Sequence, residues 1–501
     1  MAMTKKQTFQ VNFTGGIISP GVLLALLREA QAARVTHVQF GLRQQMTLEV
    51  PEAMAPQFQR ACHQRNIICQ PKKNAAPNIV SSYPAAGLFT ADTWLREDVF
   101  KDLFNQVTET HLYKINICDR TQNLVPFFTG HINWVSSSLQ HFWHLYIRLP
   151  KTQTIISWPH LIYTNDIGLC TKKIENVLQE FLVQPLENTK ETTSLLMQKL
   201  EAAVGNRASD KTEVLQLPPF SLPYYEGFNQ SEAGIWLGIY RRDQLFPVSF
   251  LIDVCILCNE TKIGELYATP WKSLIIKGIA KKDREQWNHV LGKYRINVRH
   301  AANELAWQVE DGDESGLQIK RTVIRHFDKE DVRTYGLSFG VPSKPAASMF
   351  GSIIIRKQQT KNPHRLRSLD RYDLLYTKDF NPNASELILF RDGLEKEQLG
   401  VYIVSLCKMY YQQEEEKFAL KKDPVPLENH TPRKEGASMV QAYQCPHCLT
   451  IYDAALGDAG AGINPGTPFS QLPEDYFCPV CESPKQDFIV RGKMILQPEP
   501  C

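Results

Sequence analysis

Hydrophobic periodicity first appears at Val22, Leu23, Leu26, Leu27 and Ala30, which share one helical face just after the start signal Ser19-Pro20. Val38, Phe40 and Leu42 then alternate with polar residues. Beyond the short turn LRQQ, Met46, Leu48 and Val50 alternate again, and residues 51–66 return to helical spacing. Strand, helix, hairpin and helix in that order predict a βαββαβ unit.

About 227 positions further on the pattern recurs. Leu266 to Thr269 reads as a strand, PWKS as the turn and LIIKGI as a buried strand, while Trp287, Val290 and Leu291 mark a helix. Each copy runs on into a strand-rich stretch. These are KINICDRTQNLVPFFTGHINWV with HLYIRLP in the first, and TYGLSFGVP with FGSIIIRK in the second. The expected fold class is α+β, with ferredoxin-like halves over residues 1–75 and 226–300, each followed by a larger α+β unit, 76–225 and 301–410. Past Cys407, three glutamates (Glu414, Glu415, Glu416) lead into KKDPVPLENHTPRKEGAS, which has hardly any apolar periodicity. That predicts a linker over 411–439 and a separate small domain over 440–495.

A chain of 501 residues exceeds one hydrophobic core, in keeping with several domains. Its 56 basic and 53 acidic residues nearly balance, and the basic ones are scattered, so neither a nucleic-acid nor a membrane partner is expected. The opening MAMTKKQTFQ has no apolar leader, and the most apolar run, Phe250 to Cys258, is about half the length that crosses a bilayer and holds Asp253. A cytoplasmic protein is expected. In that setting Cys62, Cys69, Cys118, Cys170, Cys255, Cys258 and Cys407, in mostly apolar surroundings, are expected to be reduced, buried thiols.

Four other cysteines are arranged differently. Cys445 with Cys448, and Cys478 with Cys481, form two Cys-x-x-Cys pairs separated by residues 449–477. Two such hairpins place four thiolates tetrahedrally, which suits either zinc or a single iron. A domain this small needs a metal staple, because its core is too small to hold the fold unaided.

The residues between the pairs resemble rubredoxin from about Tyr443 to Phe488. The matching pieces are CPHC, Tyr452-Asp453, Gly457-Asp458, PGTPFSQLP, DYFCPVC, and Lys485 with Phe488. The resemblance implies one iron, cycling between Fe3+ and Fe2+, on Cys445, Cys448, Cys478 and Cys481. It implies too that Tyr452, Phe469, Tyr476 and Phe488 pack over the metal and exclude water. Leu449 and Glu482 stand where rubredoxins usually have glycine, which leaves the hydrogen bonds to sulfur, and hence the potential, open.

The first 400 or so residues are similar to ferredoxin-dependent nitrite and sulfite reductases, carried by FGLRQQMTLEV, YATPWKSLII, NIVSSYPAAG and KINICDRTQNLVPFFTGHINWV. Those enzymes couple sirohaem to a [4Fe–4S] cluster through Cys-x5-Cys and Cys-x3-Cys in the second half. Here no cysteine lies between Cys258 and Cys407, so no [4Fe–4S] cluster is expected and sirohaem is not favoured. Arg43 and Lys272 match positions that would meet a tetrapyrrole's carboxylates or another anion, with Arg120, Arg148, Lys320 and Arg321 as further candidates; each could equally be a solvated surface cation. No histidine or nucleophile motif offers another enzyme, and no catalytic residue is assigned. The expectation is an electron-transfer protein whose rubredoxin is tethered to a catalytically disarmed reductase scaffold. Its partners would be redox proteins, among them a nitrite or sulfite reductase or its electron donor. The alternative is a sirohaem-binding nitrite or sulfite reductase with rubredoxin as built-in donor.

Overall fold

The structure, a computed structural model, describes residues 5–492 apart from 91–92, 108–109, 151, 153, 182–189, 208, 211, 232–233, 344–349, 359–369, 385, 422–440, 447–449, 453, 455–456, 459–460, 465 and 480–482. The chain divides into two compact units, Met1–Lys417 and Phe418–Cys501.

The first unit begins with β1 (Lys6–Val11), β2 (Ile17–Ile18), α1 (Pro20–Ala32), β3 (His37–Phe40), β4 (Met46–Pro51), α2 (Ala55–Gln64) and β5 (Gln70–Pro71). Pro20 sits in the first turn of α1, where its missing N–H costs nothing. A larger segment follows with β6 (Val80–Ser81), α3 (Glu97–Gln106), β7 (Ile115–Cys118), β8 (Ile132–Ser136), β9 (Phe142–Arg148), β10 (Ile155–Ser157), β11 (Ile162–Tyr163), α4 (Ile167–Phe181) and α5 (Lys190–Val204). The second copy comprises β12 (Gly227–Ser231), β13 (Gly234–Ile239), β14 (Phe246–Pro247), α6 (Val248–Glu260), β15 (Leu266–Ala268), β16 (Leu274–Ile279) and α7 (Arg284–Lys293). Its own larger segment holds α8 (Ala302–Leu305), β17 (Trp307–Val309), α9 (Glu314–Lys329), β18 (Phe339–Val341), β19 (Ile353–Lys357), β20 (Tyr372–Thr377), β21 (Leu387–Leu394) and α10 (Leu399–Lys421).

The repeat expected from the sequence is present in register. Phe9 faces Leu48 across β1–β4 as Leu237 faces Ile276 across β13–β16, and the same offset aligns the hairpins β3–β4 and β15–β16. The first sheet, in the order β3-β4-β1-β5, is antiparallel throughout, as a βαββαβ unit requires. In the second copy the place of β5 is taken by β12, which precedes β13 as a hairpin. The copies also trade short strands: β14 pairs with β3 and β2 pairs with β15. Each half therefore lends the other's sheet a two-residue edge strand, so the two copies are joined through their sheets.

Helix α1 packs on α6, and one core joins both halves. Phe250, Leu251, Val254, Cys255, Leu257 and Cys258 are all buried along α6, which accounts for its nearly continuous apolar sequence. None of the described helices is long and apolar enough to cross a membrane. The two larger segments share a second core and the same five-strand plan, to which the first adds β11 beside β9. Strands β6, β7 and β8 run parallel before β9 and β10 turn antiparallel; β17, β18 and β19 run parallel before β20 and β21 do the same. Helix α10 continues to Lys421, into the stretch expected as linker, and residues 422–440 lie outside the described residues.

The second unit contains β22 (Gln441–Gln444), β23 (Ile451–Tyr452) and β24 (Ile489–Gly492), with β22 central and both pairings antiparallel.

Candidate functional site

In the small C-terminal unit, Cys445 follows β22 directly and is buried, as is Cys478. Cys445 donates its N–H to Thr450 O (2.8 Å), and Cys478 donates its N–H to Ser483 O (2.8 Å). Each bond runs from the first cysteine of a pair to the second residue past its partner cysteine, so the two closures match. Such knuckles turn the sulfurs of a Cys-x-x-Cys toward one point, a donor set of thiolates alone that fits iron or zinc. Cys448, Leu449, Cys481 and Glu482 lie outside the described residues.

Around these loops the aromatic residues expected to cover the metal meet in one cluster. Phe469 stacks on Tyr443 at 4.0 Å and 9°, and packs edge-on against Tyr452 at 5.6 Å. Phe488 touches Phe469 and Tyr476 at 5.1 and 6.2 Å. Polar tips are satisfied from within: Tyr452 donates to Thr467 O (2.7 Å) and Tyr476 to Asp458 (3.0 Å). Lys485 reaches Leu472 O (2.7 Å) and Glu474 (3.1 Å). Gly457 holds φ 66°, and a Cβ there would meet Ile463 O and Asn464 O at 2.6 Å, which explains the glycine.

The paired turns of the first unit are also built alike. Gly41 N–H bonds Gln45 O, and Thr269 N–H bonds Ser273 O. Gln44 and Lys272 occupy matched left-handed positions (φ 61° and 57°). Gln44 clips onto β6 through Ser81 N–H and O. Lys272 is buried and instead pairs with Asp311 (3.1 Å), donating also to Gln244 (3.1 Å). Asp311, which sequence reasoning did not single out, joins the two turns: its other bonds come from Leu42 N–H (3.3 Å) and Gln45 (2.8 Å).

Arg43 points away from that carboxylate. Its guanidinium donates to Asn78 O (2.8 and 3.0 Å), Ile115 O (2.8 Å) and Asn116 Oδ1 (3.2 Å). Burial and the nearby Arg148 lower its pKa to about 9, which keeps it charged at neutral pH. Burial lowers Arg148 to about 10, and burial with Arg43 and Arg148 lowers Lys114 to about 8. His131 is held down to about 3 by burial and these three cations, and its Nδ1 accepts the Lys114 N–H (3.1 Å). Arg43 and Lys272 thus sit in neighbouring turns but spend their hydrogen bonds on the protein. Of the other candidates, Arg148 donates to Gly130 O and Thr152 O, Arg120 is partly buried, Lys320 is buried under Tyr240, and Arg321 pairs at the surface with Glu314.

The seven expected thiols, Cys62, Cys69, Cys118, Cys170, Cys255, Cys258 and Cys407, are all buried and none forms a disulfide. Burial pushes Cys170 up to about 11 and Cys258 and Cys407 up to about 12, the signature of inert core residues.

Residues 442–488 match the family model "Rubredoxin". Over 56 residues the chain is 45% identical to the probable rubredoxin HupI of Bradyrhizobium diazoefficiens, covering 11% of this chain and 81% of that protein. It is 52% identical over 49 residues to the probable rubredoxin HupJ of Rhodobacter capsulatus, covering 10% of this chain but only 18% of that relative's length. Among solved structures, the NirA protein of Mycobacterium tuberculosis superposes with a TM-score of 0.61 at 13% identity, over 79% of each chain. At that identity the likeness establishes the fold alone, an α+β scaffold shared with NirA.

Proposed function

This chain belongs to the rubredoxin family through its C-terminal segment, and on that premise we propose that it is an electron-transfer protein with a mononuclear iron on Cys445, Cys448, Cys478 and Cys481. The observation that carries this reading is the pair of equivalent loops at Cys445 and Cys478 beneath one aromatic cluster. An iron held by four thiolates supplies one-electron exchange. The chain's own residues would supply the rest: Tyr443, Tyr452, Phe469, Tyr476 and Phe488, packed on one another, would keep water from the sulfurs.

The reductase-like unit is read as a docking platform that does not itself reduce nitrite or sulfite. Two features support this: no cysteine between Cys258 and Cys407 to ligate a coupled cluster, and Arg43 and Lys272 engaged with protein partners. The partner would be a redox protein of nitrite or sulfite assimilation. Attachment in one chain keeps the carrier at high effective concentration near whatever docks.

An absorption spectrum with metal analysis tests the reading. One iron per chain, with iron–thiolate bands that bleach on reduction, is expected, and a colourless zinc protein overturns it. The purified protein given a strong chemical reductant should form neither ammonia from nitrite nor sulfide from sulfite. Stoichiometric sirohaem with turnover would establish instead a reductase with a built-in donor.

A further inference from the structure

A cleft of about 570 Å³ opens on the second copy, remote in sequence from the cysteine loops. Six of its lining residues are basic: Arg241, Arg242, Arg295, Lys320, Arg321 and Arg325. Only Asp243, Glu304 and Asp328 oppose them, while Leu317 and Ile324 add an apolar wall. The volume is that of a small-molecule site.

The cations are not all paired off. Arg241 meets Asp243, Arg242 meets Glu304 (2.9 Å), and Arg321 meets Glu314. Arg295 and Arg325 have no ion-pair partner among the described residues. On the floor, Lys320 is 3% exposed, and its ammonium donates to Tyr240 Oη (2.5 Å) and Glu304 O (2.8 Å). Two acceptors leave one of its three donors over, and no carboxylate among the described residues lies within ion-pair distance. A buried ammonium with no carboxylate in direct contact is costly: burial lowers Lys320 to about 7, although the charge of Glu304 acts against this.

The repeat provides an internal comparison. By the register that matches the halves, Arg241, Arg242 and Asp243 correspond to Phe13, Thr14 and Gly15. There the ring of Phe104 from α3 lies so close that a Cβ on Gly15 would come within 2.3 Å of it. The first copy closes this space with an aromatic ring; the second leaves it open and lines it with positive charge.

We propose that this cleft binds a compact organic polyanion carrying two or three carboxylate or phosphate groups, with Lys320 on the floor and Arg295 and Arg325 at the rim. The shared chemistry is a cluster of anionic oxygens accepting charge-assisted hydrogen bonds. The site does not depend on the iron centre, so its fate and that of the electron-transfer reading are separate.

Isothermal titration of the full-length protein at pH 7 and low salt, with citrate and with inorganic pyrophosphate, tests it. Saturable 1:1 binding of at least one probe is expected, weakening as salt is raised. Citrate alone would assign a carboxylate ligand, pyrophosphate alone a phosphate one. Arg295→Ala and Arg325→Ala should each weaken binding about fivefold, and Lys320→Met by at least about tenfold, with the iron–thiolate spectrum unchanged. Should Lys320→Met not fold, the double variant Arg295→Glu/Arg325→Glu, which alters only exposed side chains, decides. Undiminished affinity in that variant, or no saturable binding of either probe to the wild type, overturns the proposal.

Discussion

Removing the Asp311 carboxylate should loosen the junction of the two repeats more than any other single truncation at the surface of the first unit. Lys272 is 4% exposed and Asp311 22% exposed, with 3.1 Å between them. In Asp311→Ala the ammonium keeps Gln244 Oε1 at 3.1 Å and only a distant Glu310 O at 3.5 Å. Leu42 N–H and the Gln45 amide lose their acceptor as well. Breaking a buried pair by deleting one member costs about 3–5 kcal/mol; the partial exposure of Asp311 admits water, so the lower end, about 3 kcal/mol, is expected. Asp311→Asn, which keeps an acceptor without the charge, should lose about half as much. Urea unfolding followed by tryptophan fluorescence reads the change, and Trp271 beside Lys272 is a local probe. In a double-mutant cycle, Lys272→Met should recover about 1.5 kcal/mol of the Asp311→Ala loss, because the stranded charge is then gone. An Asp311→Ala protein within about 0.5 kcal/mol of wild type, or strictly additive losses in the cycle, would refute the junction role.

Replacing Cys445 or Cys478 with serine should cut iron affinity by more than about tenfold and abolish the native spectrum, measured by metal analysis and absorption; a retained native spectrum would mean the ligands are wrong. A fragment beginning at residue 440 should fold and hold iron alone, since all four cysteines lie within it; circular dichroism and absorption would show whether it does. Gly238→Ala would drive a Cβ to 1.8 Å from Tyr225 O, a backbone atom that cannot swing aside, and should lower stability by about 3 kcal/mol in urea. His131, held neutral down to about 3 in the folded protein against 6.5 unfolded, contributes stability that is present above pH 6.5 and lost as pH falls toward 3. Between pH 6.5 and 5 the loss from this residue should reach up to about 2 kcal/mol, and His131→Gln should flatten that part of the pH–stability curve.

Much of the architecture was legible because it is written locally. The periodic stretches that form α1 and α7 bury one face, and the apolar runs of β4 and β16 are buried along most of their length, requirements that act over a few residues. The rubredoxin segment is more explicit still: two Cys-x-x-Cys pairs, PGTPF and DYFCPVC mark the family within residues 442–488. The repeat was only weakly legible from pattern, because the second copy replaces the alternation of the first with mostly buried strands around the same five-residue turn.

Contacts between distant segments could not be read that way. Strands β2 and β14 are two residues long, too short for any period, and form only because the opposite half offers an edge. Arg43 was a plausible anion ligand by position; the fold directs its donors to the carbonyls of Asn78 and Ile115. Asp311 follows a predicted turn by more than 260 residues, yet it bonds that turn and pairs Lys272. The basic cleft is likewise assembled from three separate stretches that come together only in the folded chain. The amino-acid sequence by itself determined the main elements and the rubredoxin motif, since these depend on neighbours along the chain. Which half each short strand joins, which charges are consumed and which left open, only the tertiary structure decided, because hydrogen bonds and ion pairs are chosen by distances in space.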